Sequence, residues 1–128
     1  MKTSSAKSKG RGQQQIVRDA VLEYFTSLKP EDVVSTPMGS TGMDLMLSSA
    51  ARECFPFAVE SRKREKINVW ECMRDAEKHA AKEGLKPMGV IGRNHQRPYV
   101  IISLDLLMPI LRDAYCYRNP GAIEGSGT

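Results

Sequence analysis

At 128 residues, with 41% apolar and 27% charged side chains, the chain has material for one packed core and too little length for two. No apolar run approaches the roughly 20 residues that a membrane span needs, which excludes a transmembrane helix. A formal charge of +4 is mild, so the placement of the charges says more than their total.

Residues 1–12 combine Lys2, Lys7, Lys9 and Arg11 with Ser and Gly and show no apolar period, so they read as a flexible basic arm ahead of a single domain over 13–117. The same segment lacks the apolar stretch of a secretory signal, which predicts a protein kept in a reducing cytoplasm. Cys54, Cys72 and Cys116 are odd in number, far apart and without metal-site spacing, and read as buried free thiols rather than zinc ligands.

From Gln13 to Leu28 the pairs Ile16/Val17, Ala20/Val21 and Tyr24/Phe25 recur every four residues, placing them on one face of a helix that Pro30 closes. A strand is expected at Val33–Thr36. A turn with two glycines follows over residues 37–42, then a strand at Met43–Leu47. After a Ser-Ser-Ala-Ala-Arg-Glu spacer, Cys54–Val59 is short and nearly all apolar, as expected of a strand covered on both faces. A second helix is predicted over Ile67–Glu83, with Val69, Met73, Ala76 and Ala80 inward and Gly84 as its stop; Trp70 and the methionines read as core. Strands at Met88–Ile91 and Tyr99–Ser103 form a hairpin around a polar loop. Ser103 caps a last helix to about Ala114, tolerating Pro109 in its opening turn or at a kink, and residues 118–128 form a flexible Gly-rich tail. The order implies an α/β domain with a mixed central sheet flanked by helices.

Two acids interrupt this pattern. Asp44 lies inside the apolar run Met43-Asp44-Leu45-Met46-Leu47, and Glu60 ends another, positions where a lone buried carboxylate is costly. Their separation suits neighbouring antiparallel strands, and two adjacent carboxylates invite Mg²⁺ or Mn²⁺. Strand alternation puts Ala58, Glu60 and Arg62 on one face and Val59, Ser61 and Lys63 on the other, so Arg62 is expected to share the acids' site. Metal-assisted phosphodiester cleavage uses this residue set: carboxylates for the metal and a cation for the developing charge. The block Arg62, Lys63, Arg64, Lys66 adds polyanion affinity. His79 and His95 have no partner at a catalytic spacing.

The segments Lys9-Gly10-Arg11, Gly39-Ser40-Thr41-Gly42-Met43-Asp44, Phe55-Pro56-Phe57-Ala58-Val59-Glu60, Asn68-Val69-Trp70 and Arg97-Pro98-Tyr99-Val100, in this order, resemble the PD-(D/E)XK nucleases, and among them the small phage endonucleases similar to Holliday junction resolvases. The resemblance implies a restriction-endonuclease-like fold. It places Asp44 and Glu60 as ligands of Mg²⁺ or Mn²⁺, joined by the carbonyl of Ser61, and sets Gln14, or less readily Glu23, near the metal. Lys9, Arg11, Ser40, Arg64, Lys66, Arg93 and Arg97 become expected DNA contacts. It further implies cleavage of branched DNA, a homodimer making paired cuts, and location in a host cytoplasm if the gene is a phage's. The family's catalytic lysine is here Arg62, which cannot act as a base at neutral pH. Either Arg62 supplies the electrostatic part, or a bulge turns Lys63 into the site, or turnover is lost and the chain is a noncatalytic DNA-binding accessory protein.

Overall fold

The computed structural model describes residues 2–37 and 42–118, with side chains over 12–37 and 42–116. Ser40, most of the glycine turn and the tail beyond residue 118 lie outside the described residues, as do the side chains of Lys9 and Arg11.

Helix α1 runs Lys2–Tyr24. Its helical backbone includes the segment read as an arm, which holds no proline and only two glycines, so propagation from the packed half meets no break. It ends earlier than the expected Leu28, and a 3₁₀ turn at Pro30–Asp32 leads into β1, Val33–Ser35. β1 pairs antiparallel with β2, Leu45–Leu47. The Ser-Ala-rich spacer is a helix, α2, Ser49–Cys54, because Ser48 caps it by accepting from the Ala51 N–H at 3.1 Å. β3 is Phe57–Lys63, displaced toward the basic block from the strand expected at Cys54–Val59. Asn68 caps α3, Val69–Glu83, and Gly84 ends it at φ 68°. β4, Lys86–Gly92, and β5, Tyr99–Ile101, form the expected hairpin, and α4, Leu104–Arg118, follows with Pro109 past its first turn.

The expected single sheet is two: the β1–β2 ribbon, and a mixed sheet in the order β3–β4–β5, β3 parallel to β4. Helix α1 lies over the β3 side of one face, where Val21, Leu28, Val33, Leu45, Leu47, Val59 and Val90 form the main core. Helix α3 covers the other face through small side chains. Ala58, Ala76 and Ala80 are buried, and a Cβ added to Gly89 would lie 2.6 Å from the Met73 sulfur. This close approach brings the polar residues of α3 down onto β3. Trp70 is 79% exposed on the outer side of α3, and Cys72 alone of the three free thiols is buried, so neither Trp70 nor Cys54 and Cys116 joins the core. Among the described residues no helix is long and apolar enough to cross a membrane.

Candidate active site

Thr36 fixes Asp44. At the open end of the β1–β2 ribbon the Thr36 hydroxyl donates to the Met43 carbonyl (2.6 Å) and the Thr36 N–H to the Asp44 carbonyl (2.9 Å). The Asp44 N–H then donates to the Val59 carbonyl (3.0 Å), and Asp44 Oδ2 accepts from the Ser61 N–H (2.6 Å). The two acids therefore meet, but across a single backbone bond and a side-chain bond; the ladder partner of β2 is β1, not β3.

Glu60 stands on β3 with its side chain 4% exposed, facing α3. Its Oε1 accepts from His79 Nδ1 (2.6 Å); a carboxylate only accepts, so that ring nitrogen carries the proton. Its Oε2 accepts from Arg62 Nη1 (2.7 Å). The same Nη1 donates to the Ser61 carbonyl (3.2 Å) and lies 3.8 Å from Asp44 Oδ2, while Arg62 Nη2 donates to Asp75 Oδ2 (2.8 Å). One guanidinium nitrogen thus sits among three oxygens of Asp44, Glu60 and Ser61, and α3 clamps the other arm of the fork.

The electrostatics follow from this packing. Burial, reinforced by the charge of Glu60, pushes the Asp44 carboxyl up to about 6, against the Ser61 N–H, Arg62 and His79, which favour its ionised form. Burial works against charge on Arg62, but the hydrogen bond and charge of Glu60, with Cys72 and Asp44, outweigh it, and the guanidinium is held more firmly charged than usual. Burial raises the Cys72 thiol despite Arg62, with Glu60, Asp44 and Asp75 adding to the effect. Its sulfur lies 3.7 Å from the Glu60 carbonyl, a weak S–H contact that fills space below the site.

The β3–β4 ladder is in unbroken register from Phe57 to Lys63, so no bulge turns Lys63 inward, and it occupies the strand face opposite Arg62. Gln14 is buried and accepts from Ser35 (2.7 Å). Its neighbour Gln13 reaches β3 and β4, donating to Ser61 Oγ (2.8 Å) and to the Arg62 and Val90 carbonyls (3.0 and 3.2 Å). Arg64 and Lys66 are exposed beyond the end of β3. Arg93 and Arg97 are exposed in the β4–β5 loop and, with Ile67, Gln96 and Tyr99, line a shallow pocket of about 200 Å³. Pairing of Arg62 with Ile91 and of Ile91 with Tyr99 sets that pocket in the same row of the sheet face as Arg62.

Asp75 and His79 were missed from sequence. They sit one turn apart on α3, beside the inward stripe Cys72–Ala76–Ala80, and that i, i+4 spacing was the available signal. Among the described residues no group of three His, Cys, Asp or Glu side chains is arranged to hold a metal ion. The oxygen set here is two carboxylates and one backbone carbonyl, donors of the kind that hard divalent cations take. No protein-family profile, curated protein or solved structure matches this chain, so the site is read from its own chemistry.

Proposed function

We propose that the chain is a Mg²⁺- or Mn²⁺-dependent endodeoxyribonuclease of restriction-endonuclease-like architecture, acting on branched or otherwise structured DNA, in the manner its resemblance to junction-resolving endonucleases implies. One observation carries the reading: oxygens of Asp44, Glu60 and Ser61 converge on one cationic nitrogen. A buried Glu60 beside a half-buried Asp44 whose carboxyl is raised is an arrangement that a divalent cation would relieve.

Asp44, Glu60 and the Ser61 carbonyl would hold the metal. Its chemistry there is charge neutralisation at the phosphate and a lowered pKa for bound water. The protein's own residues do the rest. His79 fixes the rotamer of Glu60, and Asp75 anchors Arg62, whose permanent charge stabilises the phosphorane-like oxygens. The exposed Arg64, Lys66, Arg93 and Arg97 would extend a cationic path for the DNA backbone, with Tyr99 as a stacking surface for an unpaired base. Paired cuts on a four-way junction would require a dimer.

A second reading has its own support. Arg62 already neutralises the acids through Glu60 and Asp75, so the cluster is stable without metal and suits a noncatalytic DNA-binding accessory protein. Cleavage assays on linear, single-stranded and four-way-junction DNA, with Mg²⁺, Mn²⁺ or chelator, separate the two. The nuclease cuts only with metal; the accessory protein binds without metal, does not cut, and loses affinity steeply with salt. Cutting that survives in Asp44→Ala would sink the mechanism. Arg62→Lys is expected to retain or raise activity and Lys63→Ala to cost little. A folded but inactive Lys63→Ala would reassign the basic role.

A further inference from the structure

Helix α1 carries a double apolar stripe, and the protomer covers only half of it. Val17, Val21 and Phe25 pack into the core, whereas Ile16, Ala20 and Tyr24 remain exposed, Ile16 at 51% and Tyr24 at 79%. On the same sheet face Val100 of β5 is 57% exposed, although its ladder partner Val90 is buried. Between them runs an apolar groove of about 460 Å³, floored by Phe55, Met88 and Val90. An apolar sheet face is stable when a second layer covers it, and here the described residues cover Val90 of β4 but leave Val100 of β5 open.

The chain also holds an element of complementary kind. Helix α4 is apolar on most sides, with Leu104, Met108, Ile110 and Leu111 exposed at 73%, 54%, 41% and 38%. None of its described side chains over 104–116 is buried. A 15-residue helix with Pro109 inside it is marginal in water by itself, and an apolar side opposite the polar one of Asp105, Arg112 and Asp113 calls for a packing partner.

From this we infer that two copies of the chain exchange α4 helices reciprocally, each seating in the other's groove between α1 and β5. The tether argues against self-insertion. Only Ile102 and Ser103 separate β5 from α4, and the Ser103 carbonyl already accepts from the Leu106 and Leu107 N–H groups, so α4 has no slack to turn back into its own groove. Short hinges of this type favour exchange between protomers. Area favours a closed exchange over a single contact. Covering four α4 side chains and three groove side chains, each roughly 60–120 Å², removes on the order of 400–800 Å² per protomer when each copy gives both a helix and a groove. A stable dimer needs about 800 Å² per partner, so a one-way contact would fall at half or less, and the reciprocal one approaches it. Two-fold closure also leaves no groove or helix open for chain growth.

The test is sedimentation of the full chain from sub-micromolar to high micromolar concentration, with circular dichroism as the folding control. Wild type is expected to dimerise, and Leu111→Glu on the helix and Val100→Glu in the groove are each expected to weaken dimerisation at least a hundredfold while leaving the protomer folded. The positions are surface-exposed in the protomer, so loss of fold is not anticipated; Met108→Ser and Ile16→Ser provide gentler versions. Mixing an Ile16→Cys chain with a Met108→Cys chain, both on a Cys54→Ser, Cys116→Ser background, should give a covalent heterodimer. A monomer at all concentrations, a dimer indifferent to both Glu substitutions, or an internal cross-link in the doubly substituted monomer would overturn the inference. None of these readouts depends on DNA cleavage.

Discussion

The two faces of the β3–β4–β5 sheet solve burial in opposite ways. On the α3 face a costly group is buried and every one of its demands is met within the chain: Glu60 is satisfied by Arg62 and His79, Arg62 in turn by Asp75, and no described buried side-chain nitrogen or oxygen lacks a partner. On the α1 face, Gln13 and Gln14 apart, the groups are apolar and inexpensive to bury, yet part of that surface is left open. Polar groups need directional partners at fixed distances, which a single fold must supply. Apolar surface needs only contact, so another chain can supply it.

The largest effect expected from this contrast is chemical. Glu60→Gln keeps the shape of the polar face but removes its charge, and metal-dependent cleavage should fall on the order of a thousandfold, measured as single-turnover rate on junction DNA. Cleavage within tenfold of wild type would show that the polar face is structural only. Next, Leu45→Ala, at a side chain 1% exposed, should cost about 2–5 kcal/mol in urea unfolding, because it opens a cavity in the part of the α1 face that is closed. A loss below about 1 kcal/mol would mean that this half of the face is as loosely filled as the groove.

Asp44 gives a pH signature. Its carboxyl is raised in the fold from 3.8 to about 6, so the native state holds a proton that the unfolded chain releases. The favourable contribution is present below pH 4 and is lost as pH rises through 6, the reverse of a salt-bridged aspartate. Asp44→Asn should therefore stabilise the metal-free protein above pH 6, by at most about 3 kcal/mol since one pKa unit is about 1.4 kcal/mol, while abolishing metal-dependent cleavage. Equal thermal midpoints for Asp44→Asn and wild type from pH 4 to 8 would count against the buried charge.

The smallest expected effect is at the seam between the two faces. Gln13→Ala removes three hydrogen bonds to Ser61, Arg62 and Val90 and should cost about 1–3 kcal/mol. Gly92 sits against the Gln13 amide closely enough that an added Cβ would collide with it, so Gly92→Ala should disturb the same seam and add little to Gln13→Ala in a double-mutant cycle.

Asp44 and Glu60 were legible because an acid inside an apolar run is conspicuous, and period-two alternation placed Arg62 rather than Lys63 on the side of Glu60. Asp75 and His79 were not legible, because helical period marks the inward stripe but does not say which strand residue lies beneath its flank. That depended on the small residues Ala58, Ala76 and Gly89, which let α3 settle close to β3 and β4. The resemblance likewise set Gln14 near the metal, whereas Gln14 reaches Ser35 and it is Gln13 that reaches β3.

Local pattern alone determined the β4–β5 hairpin, the Gly84 stop of α3 and the run of long helices and strands, though not α2 or the helical start of α1, since these depend on neighbours in the chain. Tertiary structure alone decided that the sheet splits in two, that one arginine nitrogen sits among three acidic-site oxygens, and that α4 and half of α1 keep their apolar faces uncovered. The reason is physical: periodicity fixes which side of an element is apolar or charged, whereas what meets that side is set by long-range packing, where a one-residue change of register would exchange Arg62 for Lys63.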